Sequence, residues 1–389
     1  MPALPPSWSR KETEACMKRR KSVLIAFGTR PEAVKIAPVL NALEADKAFE
    51  VEALSTAQHR EMLDQTAAAF DLRIDHDLNL MRDRQTLDGL TARILTSATP
   101  VLELAAPDAV LVHGDTTTAL ALALASFYRQ IPVGHVEAGL RSGNRYSPFP
   151  EEMNRRLISS LSTWHYAPTE GNRANLLAQG VDPDSIRVTG NTVIDALLET
   201  VSSSYRFEEP ALEAVDFDGL RVLGLTCHRR ENLGEPMERM FAAVRDTADA
   251  HADVRVVYPV HKNPAVRAIA ERALGGHPRI TLVEPLGYAD FSNFMARCAF
   301  MLTDSGGVQE EAPALDVPVL VLRDDTERPE ALEAGCAALV GTTYEGVRAS
   351  CEALLGDAAL YARMAAAPDP YGDGHAAERI CSALHDALD

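Results

Sequence analysis

Short apolar segments, each followed by a polar turn and then a helical pattern, recur along the whole chain. Such segments are typical of buried strands, and strands that alternate with helices form parallel sheets with right-handed crossovers. The pattern therefore predicts an α/β fold made of doubly wound, Rossmann-like sheets. The predicted strands are residues 22–27, 51–55, 109–113, 131–136 and 164–167 in the first half, and 221–226, 254–259, 280–283, 299–302 and 317–322 in the second.

The repeat of this pattern in both halves predicts two domains. The chain has 389 residues, which is long for one hydrophobic core. A Ser-, Glu- and Asp-rich segment at residues 202–219 interrupts the pattern and is interpreted as a linker. We therefore assign residues 1–20 to a flexible extension, 21–200 to an N-terminal Rossmann-like domain, 201–369 to a C-terminal Rossmann-like domain and 370–389 to a final helical segment.

Charge and cysteine usage exclude several functions. The 56 Asp and Glu against 38 Lys and Arg give a net charge of −18, which argues against non-specific binding to nucleic acid or an anionic membrane. Six scattered cysteines without a CxxC pair are typical of reduced thiols in a cytoplasmic protein. Neither a signal peptide nor an apolar run of about 18 residues is indicated. The histidines lack metal-ligand spacing, so no metal is predicted.

A Ser-Gly-Gly turn at Ser305, Gly306 and Gly307 lies between a predicted strand and a helix predicted at residues 308–315. Ligands of open α/β sheets bind at such strand ends, and the free N–H groups and dipole of a helix start favour phosphate. Glu311, six residues after Ser305, would repel phosphate but suits the hydroxyls of a ribose. Together these residues indicate a nucleoside diphosphate, although a tight turn that needs glycine explains Ser-Gly-Gly equally well.

Polar side chains of the first half are predicted at the same kind of edge. Arg30 and Lys35 follow the first predicted strand near the start of a helix predicted at residues 33–46, which suits phosphate contact. Asp115 and Glu137 each follow a predicted strand, and Glu151 opens a helix. We expect these three carboxylates to face one crevice. Because the chain has no GxxxxGK(S/T) motif and no GxGxxG after its first strand, neither P-loop hydrolysis nor bound NAD is indicated.

Seven ordered motifs between about residues 22 and 343 carry a resemblance to a known family. They are Gly28-Thr29-Arg30-Pro31-Glu32, His113-Gly114-Asp115-Thr116, His135-Val136-Glu137-Ala138-Gly139-Leu140-Arg141, Pro150-Glu151-Glu152-x-Asn154-Arg155, His228-Arg229-Arg230-Glu231-Asn232, Asp304-Ser305-Gly306-Gly307-x-Gln309-Glu310-Glu311 and Thr326-Glu327-Arg328-Pro329-Glu330. With these motifs the chain resembles the non-hydrolysing UDP-N-acetylglucosamine 2-epimerases of bacterial type. The resemblance implies a two-domain fold of the GT-B kind, an active site in the interdomain cleft, and a last helix that packs back on the N-terminal domain.

The resemblance implies reversible conversion of UDP-GlcNAc to UDP-ManNAc for cell-surface polysaccharide precursors, without a cofactor. Since the C2 hydrogen is barely acidic, the implied chemistry is elimination of UDP to 2-acetamidoglucal and re-addition, with proton transfer on both faces of the sugar. The implied catalytic residues are Asp115, Glu137, Glu151, His228 and Lys35. The implied substrate-binding residues are Arg30, Lys35, Arg141, His228, Leu286, Tyr288, Ser305, Gly306, Gly307, Glu311 and Arg328.

The resemblance also implies partners. Bacterial members carry an activating UDP-GlcNAc site, whose matched positions here are Gln58, Arg84 and His261, while Glu61 stands where some members have Gln. A homodimer that binds UDP-GlcNAc and UDP-ManNAc is implied as well. Three alternatives stay open: an epimerase of a related nucleotide sugar such as a 2,3-diacetamido uronic acid, a glycosyltransferase of the GT-B kind, and a nucleotide-sugar sensor without turnover.

Overall fold

The computed structural model describes residues 19–56, 70, 72–80, 82 and 85–389. In this part of the chain the strands form two separate sheets, and every pairing within both sheets is parallel. The predicted α/β class is therefore confirmed. Among the described residues, none of the helices combines the length and apolar character needed to cross a membrane.

The first sheet has seven strands: β1 (Lys21–Phe27), β2 (Phe49–Ser55), β3 (His76–Asp77), β4 (Ala109–His113), β5 (Val133–Val136), β6 (Trp164–Ala167) and β7 (Ile186–Val188). Their order is β3-β2-β1-β4-β5-β6-β7. In the register of the central strands, Ile25 lies opposite Ala53 on one side and Leu111 on the other. The strand order reverses between β1 and β4, which is where a doubly wound sheet opens a crevice for a ligand.

The second sheet repeats this plan with six strands: β8 (Arg221–Thr226), β9 (Val254–Pro259), β10 (Ile280–Val283), β11 (Phe300–Thr303), β12 (Val319–Val321) and β13 (Ala337–Leu339). Their order is β10-β9-β8-β11-β12-β13, so the reversal lies between β8 and β11. The bounds of β4, β6, β8, β9 and β10 are those predicted from sequence, because each is a compact apolar run that ends at a polar turn.

Helices cover both faces of the two sheets. In the first half they are α1 (Arg30–Ala45), α2 (Leu87–Ala105), α3 (Thr117–Phe127), α4 (Glu151–Leu161), α5 (Glu170–Ala178) and α6 (Thr192–Thr200). They continue with α7 (Pro210–Glu213), α8 (Glu235–Ala250), α9 (Pro264–Leu274), α10 (Tyr288–Ala296), α11 (Gly306–Glu311), α12 (Pro329–Ala334), α13 (Tyr344–Gly356), α14 (Ala358–Ala365) and α15 (Ala376–Leu388). Short 3-10 helices span Pro183–Ser185, Arg230–Asn232 and Pro313–Leu315.

Two helices next to the crevices begin earlier than predicted. α1 starts at Arg30 because Thr29 caps it: its side chain accepts a hydrogen bond from the Glu32 N–H, and Glu32 reaches back to the Thr29 N–H. α11 starts at Gly306 directly after Ser305, so both glycines of the Ser-Gly-Gly turn lie in the first helical turn. The polar residues after β1 and β11 are therefore held on helix starts and not in loose loops.

Segments near the predicted boundaries pack against the sheets. Within residues 202–219, Phe207 and Leu212 are buried in the core of the second sheet, and the Arg297 guanidinium lies 4.7 Å above the Phe207 ring. At the other end of the chain, Ile380 and Leu384 of α15 are buried in the core of the first sheet. The chain thus returns to its first half after completing the second sheet.

Candidate active site

One buried carboxylate fixes the start of α1. Glu32 accepts hydrogen bonds from the backbone N–H groups of Gly28 at 3.1 Å and Thr29 at 2.8 Å, and the Thr116 hydroxyl donates to it at 2.6 Å. Burial raises the pKa of Glu32 to about 7. Since Thr116 caps the helix that follows β4, Glu32 ties the turns after β1 and β4 to each other. These bonds fix the start of the helix that carries Lys35.

The three predicted carboxylates come together at this edge of the first sheet. Glu137 follows β5 with a φ of 63°, in the left-handed region, and Lys35 donates a hydrogen bond to its Oε1. Arg155 binds Oδ2 of Asp115 through Nε at 2.8 Å and Nη2 at 2.6 Å. Glu151 is the first residue of α4, and its Oε2 is buried without a hydrogen-bond partner in the described part of the chain. Burial is the main cause that raises the pKa of Asp115, and Glu137 and Glu151 add to the shift, so both of these carboxylates interact electrostatically with Asp115.

The surroundings of Glu137 and Asp115 shift the pKa values of these two carboxylates in opposite directions. Burial would raise the pKa of Glu137, but Lys35 and then His113 hold it down at about 2. Burial raises the pKa of Asp115 above its ordinary value, although the Arg155 guanidinium opposes the shift. Burial also lowers the pKa of His113 to about 4, so that ring is neutral near pH 7. Glu137 is therefore ionised throughout the physiological range, whereas Asp115 takes up a proton more readily.

The facing wall is built around Asp304, which is fully buried after β11. Its Oδ2 accepts hydrogen bonds from the backbone N–H of His228 at 3.0 Å, the backbone N–H of Arg229 at 2.9 Å and Asn232 Nδ2 at 2.9 Å. These bonds tie the turn after β8 to the turn after β11. Burial lowers the pKa of the His228 ring, which stacks on the exposed His261 ring at a centroid distance of 5.2 Å.

The glycines at the start of α11 allow close approach of charged side chains. A Cβ on Gly306 would lie 2.7 Å from Cζ of Arg328, so the guanidinium fits only because this residue is glycine. A Cβ on Gly307 would lie 3.3 Å from Oε1 of Glu311. Burial raises the pKa of Glu311 to about 7, and the neighbouring Glu310 adds to the shift. Glu311, the residue predicted to bind the ribose hydroxyls, therefore gains or loses a proton near neutral pH.

A cavity of about 570 Å³ lies between the two halves; the three carboxylates and His228 do not line it, and Lys35, which does, connects it to Glu137. The first half contributes Arg30 and Lys35 to its lining, and the second half contributes Tyr288, Glu311 and Arg328. Its volume lies in the usual range for a small-molecule site, roughly 300–1,000 Å³. Three cationic side chains beside a helix start favour a ligand that carries phosphate.

The structure places Arg141 apart from this cavity. Its guanidinium donates to the Leu140 carbonyl at 2.8 Å, to Ser159 Oγ at 2.9 Å and to Gln179 Oε1 at 2.8 Å, all within the first half. It lines a second cavity of about 870 Å³, together with Arg323 of the second half. The role of Arg141 as a substrate contact stays a prediction.

The remaining predicted binding residues lie toward the second half. Leu286 packs partly buried against the core of the second sheet. Tyr288, two residues later, lines the 570 Å³ cavity, and its ring centroid is 5.5 Å from that of Phe70. Three residues of the predicted activator site lie outside the described residues: Gln58, Glu61 and Arg84.

Comparison with known proteins identifies the family. A sequence model of UDP-N-acetylglucosamine 2-epimerase matches residues 41–385. The chain belongs to this family. The UDP-N-acetylglucosamine 2-epimerase of Bacillus subtilis is 52% identical over 368 residues, which cover 95% of this chain and 96% of that protein.

Solved structures of the UDP-N-acetylglucosamine 2-epimerase family share the fold. The crystal structure of UDP-GlcNAc 2-epimerase from Neisseria meningitidis bound to UDP-GlcNAc has a TM-score of 0.85 and 45% identity, covering 94% of this chain and 100% of that one. The S. aureus MnaA-UDP co-structure has a TM-score of 0.84 and 48% identity, covering 95% and 97%. The resemblance carried by the motifs is thus confirmed, and the two sheets facing a cleft have the GT-B-like arrangement of these neighbours.

Three residues of this epimerase-family site were not singled out from the sequence. Arg155 lies one helical turn after Glu151, and this spacing alone would have placed it near the same crevice. His113 ends β4 and is buried, with Nε2 unpartnered in the described part of the chain. Glu310 precedes Glu311 and had no separate signal, because only the docking of the two halves gives its side chain a charged partner from the first half.

Proposed function

We propose that this protein interconverts UDP-GlcNAc and UDP-ManNAc in the 570 Å³ cavity. The observation that carries the proposal is the clustering of Asp115, Glu137 and Glu151 in the first half, across from a glycine-rich helix start in the second. Lys35, which lines the cavity and donates a hydrogen bond to Glu137, connects this cluster to it. A transferase or a sensor would leave a cluster of three carboxylates without a task. The names of the relatives, and the UDP-GlcNAc and UDP bound in two of the solved structures, support the same substrate class.

The nucleotide half of the substrate would lie against the second sheet. In this proposal Ser305 and the Gly306 and Gly307 N–H groups bind the diphosphate at the start of α11, where the helix dipole favours anions. The cationic and imidazole side chains of Arg30, Lys35, His228 and Arg328 complete that site. Glu311 accepts hydrogen bonds from the ribose hydroxyls. The uracil ring would pack on the side of the cavity lined by Tyr288, with Leu286 two residues before it in the chain.

The sugar would then face the carboxylates of the first half. A carboxylate removes the proton from C2 while the bond from C1 to the diphosphate oxygen breaks, and UDP leaves with the electron pair. The product of this elimination is 2-acetamidoglucal. Addition of UDP to C1 and of a proton to the opposite face of C2 gives the epimer, so no external oxidant or reductant enters. Cations around the departing diphosphate stabilise the charge that develops there.

The opposite pKa shifts of Glu137 and Asp115 suit this chemistry. Glu137, ionised and paired with Lys35, fits the proton acceptor in one direction. Asp115, whose raised pKa makes it easier to protonate, fits the proton donor, and the roles exchange in the reverse direction. Glu151, whose Oε2 is buried without a hydrogen-bond partner among the described residues, would complete the set of proton carriers.

The wider proposal concerns regulation and assembly. A second UDP-GlcNAc would bind near His261, whose ring stacks on that of His228 and so connects this site with the diphosphate. The domain ranges 21–200 and 201–369, with 370–389 returning to the first domain, belong to the same proposal. We also propose that the protein is a cytoplasmic homodimer and that its product is used for cell-surface polysaccharide.

Incubation with UDP-GlcNAc in deuterium oxide, followed by NMR, tests the reaction. Deuterium should appear at C2 and UDP-ManNAc should form with chelator present and without added NAD. Glu137→Gln is the matched control: it should lose about 10²-fold or more in kcat, the range of a general acid or base, while UDP affinity stays within several-fold. Product without deuterium at C2, or product that requires NAD, would refute the elimination mechanism.

A further inference from the structure

Glu310 lies beside Glu311 on α11, yet the proposed function gives it no task. Its side chain is only 7% exposed. Oε1 accepts a hydrogen bond from Arg328 Nε at 2.7 Å, and Oε2 accepts one from Asn191 Nδ2 at 3.2 Å and lies 3.7 Å from Lys35 Nζ. Lys35 belongs to the first half, Arg328 to the second, and Asn191 caps the helix that leads from one to the other. One buried carboxylate thus contacts both walls of the cleft.

The ion pairs around Glu310 form a chain of alternating charge. Glu137 is paired with Lys35, Lys35 with Glu310, and Glu310 with Arg328, whose Nη1 lies 3.7 Å from Oε2 of Glu327. Burial alone would lower the pKa of Lys35 and of Arg328, but their acidic neighbours raise both above the ordinary values. A buried cation without a partner is strongly unfavourable. Among the described residues, Glu310 is therefore the carboxylate that forms an ion pair with both cations.

The two cations that share Glu310 are also those assigned to the diphosphate. The Arg328 guanidinium lies against Gly306, at the helix start where the diphosphate would bind. We propose that Glu310 is a positioning residue: it is the internal counter-ion that holds Lys35 and Arg328 at the diphosphate position, and the diphosphate of the nucleotide competes with it for both. This inference rests on the proposed function, because it takes the nucleotide site at α11 as given.

Sharing of Lys35 links Glu310 to the proposed proton acceptor. The Glu310 carboxylate attracts the Lys35 ammonium group and so weakens the interaction of Lys35 with Glu137. The pKa of Glu137 is then less strongly lowered, which makes Glu137 a better base. The groups that face Glu137 are Lys35, His113, Asp115, Arg155 and Arg328. Those that face Glu310 are Lys35, Arg328, His113, Glu311, Asp369 and Tyr371.

Calorimetry with UDP and with uridine distinguishes the role of Glu310 in binding from that of the adjacent Glu311. Glu310→Gln removes the competing charge and should tighten UDP binding about tenfold, without changing uridine affinity, since uridine has no diphosphate. Glu311→Gln should weaken both ligands. Weaker or unchanged UDP binding in Glu310→Gln, with Glu311→Gln behaving as expected, overturns the counter-ion role alone. If Glu311→Gln leaves both affinities unchanged, the nucleotide site itself is misplaced and the proposed function fails.

Glu310→Asp keeps the measurement decisive if the Gln variant does not fold. Aspartate retains the charge but withdraws it from both cations by one methylene, so its UDP affinity should lie between those of wild type and Glu310→Gln. An affinity equal to or below that of wild type contradicts the proposal. Folding of each variant is checked by thermal unfolding before titration.

The kinetic signature differs from that of a residue needed only for packing. Glu310→Gln should lower kcat about tenfold and lower KM as well, since the nucleotide binds more tightly while the base is weaker. Glu310→Asp, which keeps the charge, should return kcat and KM toward the wild-type values. A fall in kcat with an unchanged or raised KM would leave Glu310 a packing residue.

Discussion

Glu137 and Glu311 are both buried in the cleft, yet the pKa of the first is held at about 2 and that of the second rises to about 7. The difference lies in their partners. Glu137 has an ammonium group in hydrogen-bond contact, whereas Glu311 is next to another carboxylate. Among the described residues no cation forms a hydrogen bond with Glu311, and a buried acid of this kind gains a proton near neutral pH, so the ribose contact proposed for Glu311 becomes dependent on pH.

UDP affinity should fall as the pH falls below about 7. Ribose hydroxyls donate to the ionised form of Glu311, so its pKa in the complex lies below that of the empty site, and binding at lower pH must release a proton. The limiting slope is about tenfold in Kd per pH unit, and above about pH 8 this contribution vanishes. The measurement is titration calorimetry from pH 8 to 6 in buffers of different ionisation enthalpy.

Glu311→Gln is the control for that pH series. UDP has its own phosphate ionisation, which both proteins experience equally, so the difference between wild type and variant isolates the side chain. Parallel pH curves for the two proteins would show that Glu311 is ionised in the empty cleft or does not contact the ribose.

Among the secondary-structure elements, α15 is capped at its start by a residue that is far away in sequence. Its own N-cap, His375, makes no side-chain capping bond. Asp195 of α6 instead accepts the backbone N–H groups of Ala376 at 3.2 Å and Ala377 at 2.8 Å. Asp195 and Ala377 are 182 residues apart, so this cap exists only when the chain has returned to its first half.

Asp195→Ala should destabilise the protein by about 1–2 kcal/mol, the usual effect of losing an N-cap acceptor. Denaturant unfolding measures the change. Glu378→Ala is the matched control, because Glu378 lies in the first turn of α15 with its side chain 75% exposed, and its change should stay within about 0.5 kcal/mol. Equal effects of the two substitutions would show that the cap does not hold α15.

At the scale of the whole molecule, an apolar patch stands out on the first half. Leu104, Phe127 and Tyr128 are 83%, 55% and 67% exposed at the ends of α2 and α3. The hydrogen bond from Arg129 to Glu103, at 3.1 Å, brings these helix ends side by side. Large exposed apolar side chains that cluster on a chain with net charge −18 are typical of a covered surface.

We expect this patch to lie in the interface of the proposed homodimer. Leu104→Glu combined with Tyr128→Glu should shift the protein from dimer to monomer in sedimentation velocity, because buried like charges would face each other across a two-fold axis. Tyr146→Glu, which changes an equally exposed aromatic in the loop before α4, should leave the dimer intact. A wild-type protein that sediments as a monomer at micromolar concentration would refute the assembly.

The sequence by itself determined most of the strands, the turns that follow them and the residues at the strand ends, but not the short strands β3, β7 and β13. Apolar runs and glycines act locally, and in a parallel sheet they place Asp115, Glu137 and Ser305 at carboxyl edges whatever the rest of the chain does. The family motifs added the nature of the site. Helix starts were placed two or three residues late, because the cap at Thr29 and the glycines after Ser305 extend α1 and α11 backwards.

Only the tertiary structure decided which charges meet. Lys35 pairs with Glu137 across 102 residues and also approaches Glu310 of the other half, whereas Arg141 turns toward its own half. These pairings depend on how the two sheets dock and on how much water the docking removes. Both determine the strength of an ion pair and the pKa of a carboxylate, and neither is encoded in the spacing of residues along the chain.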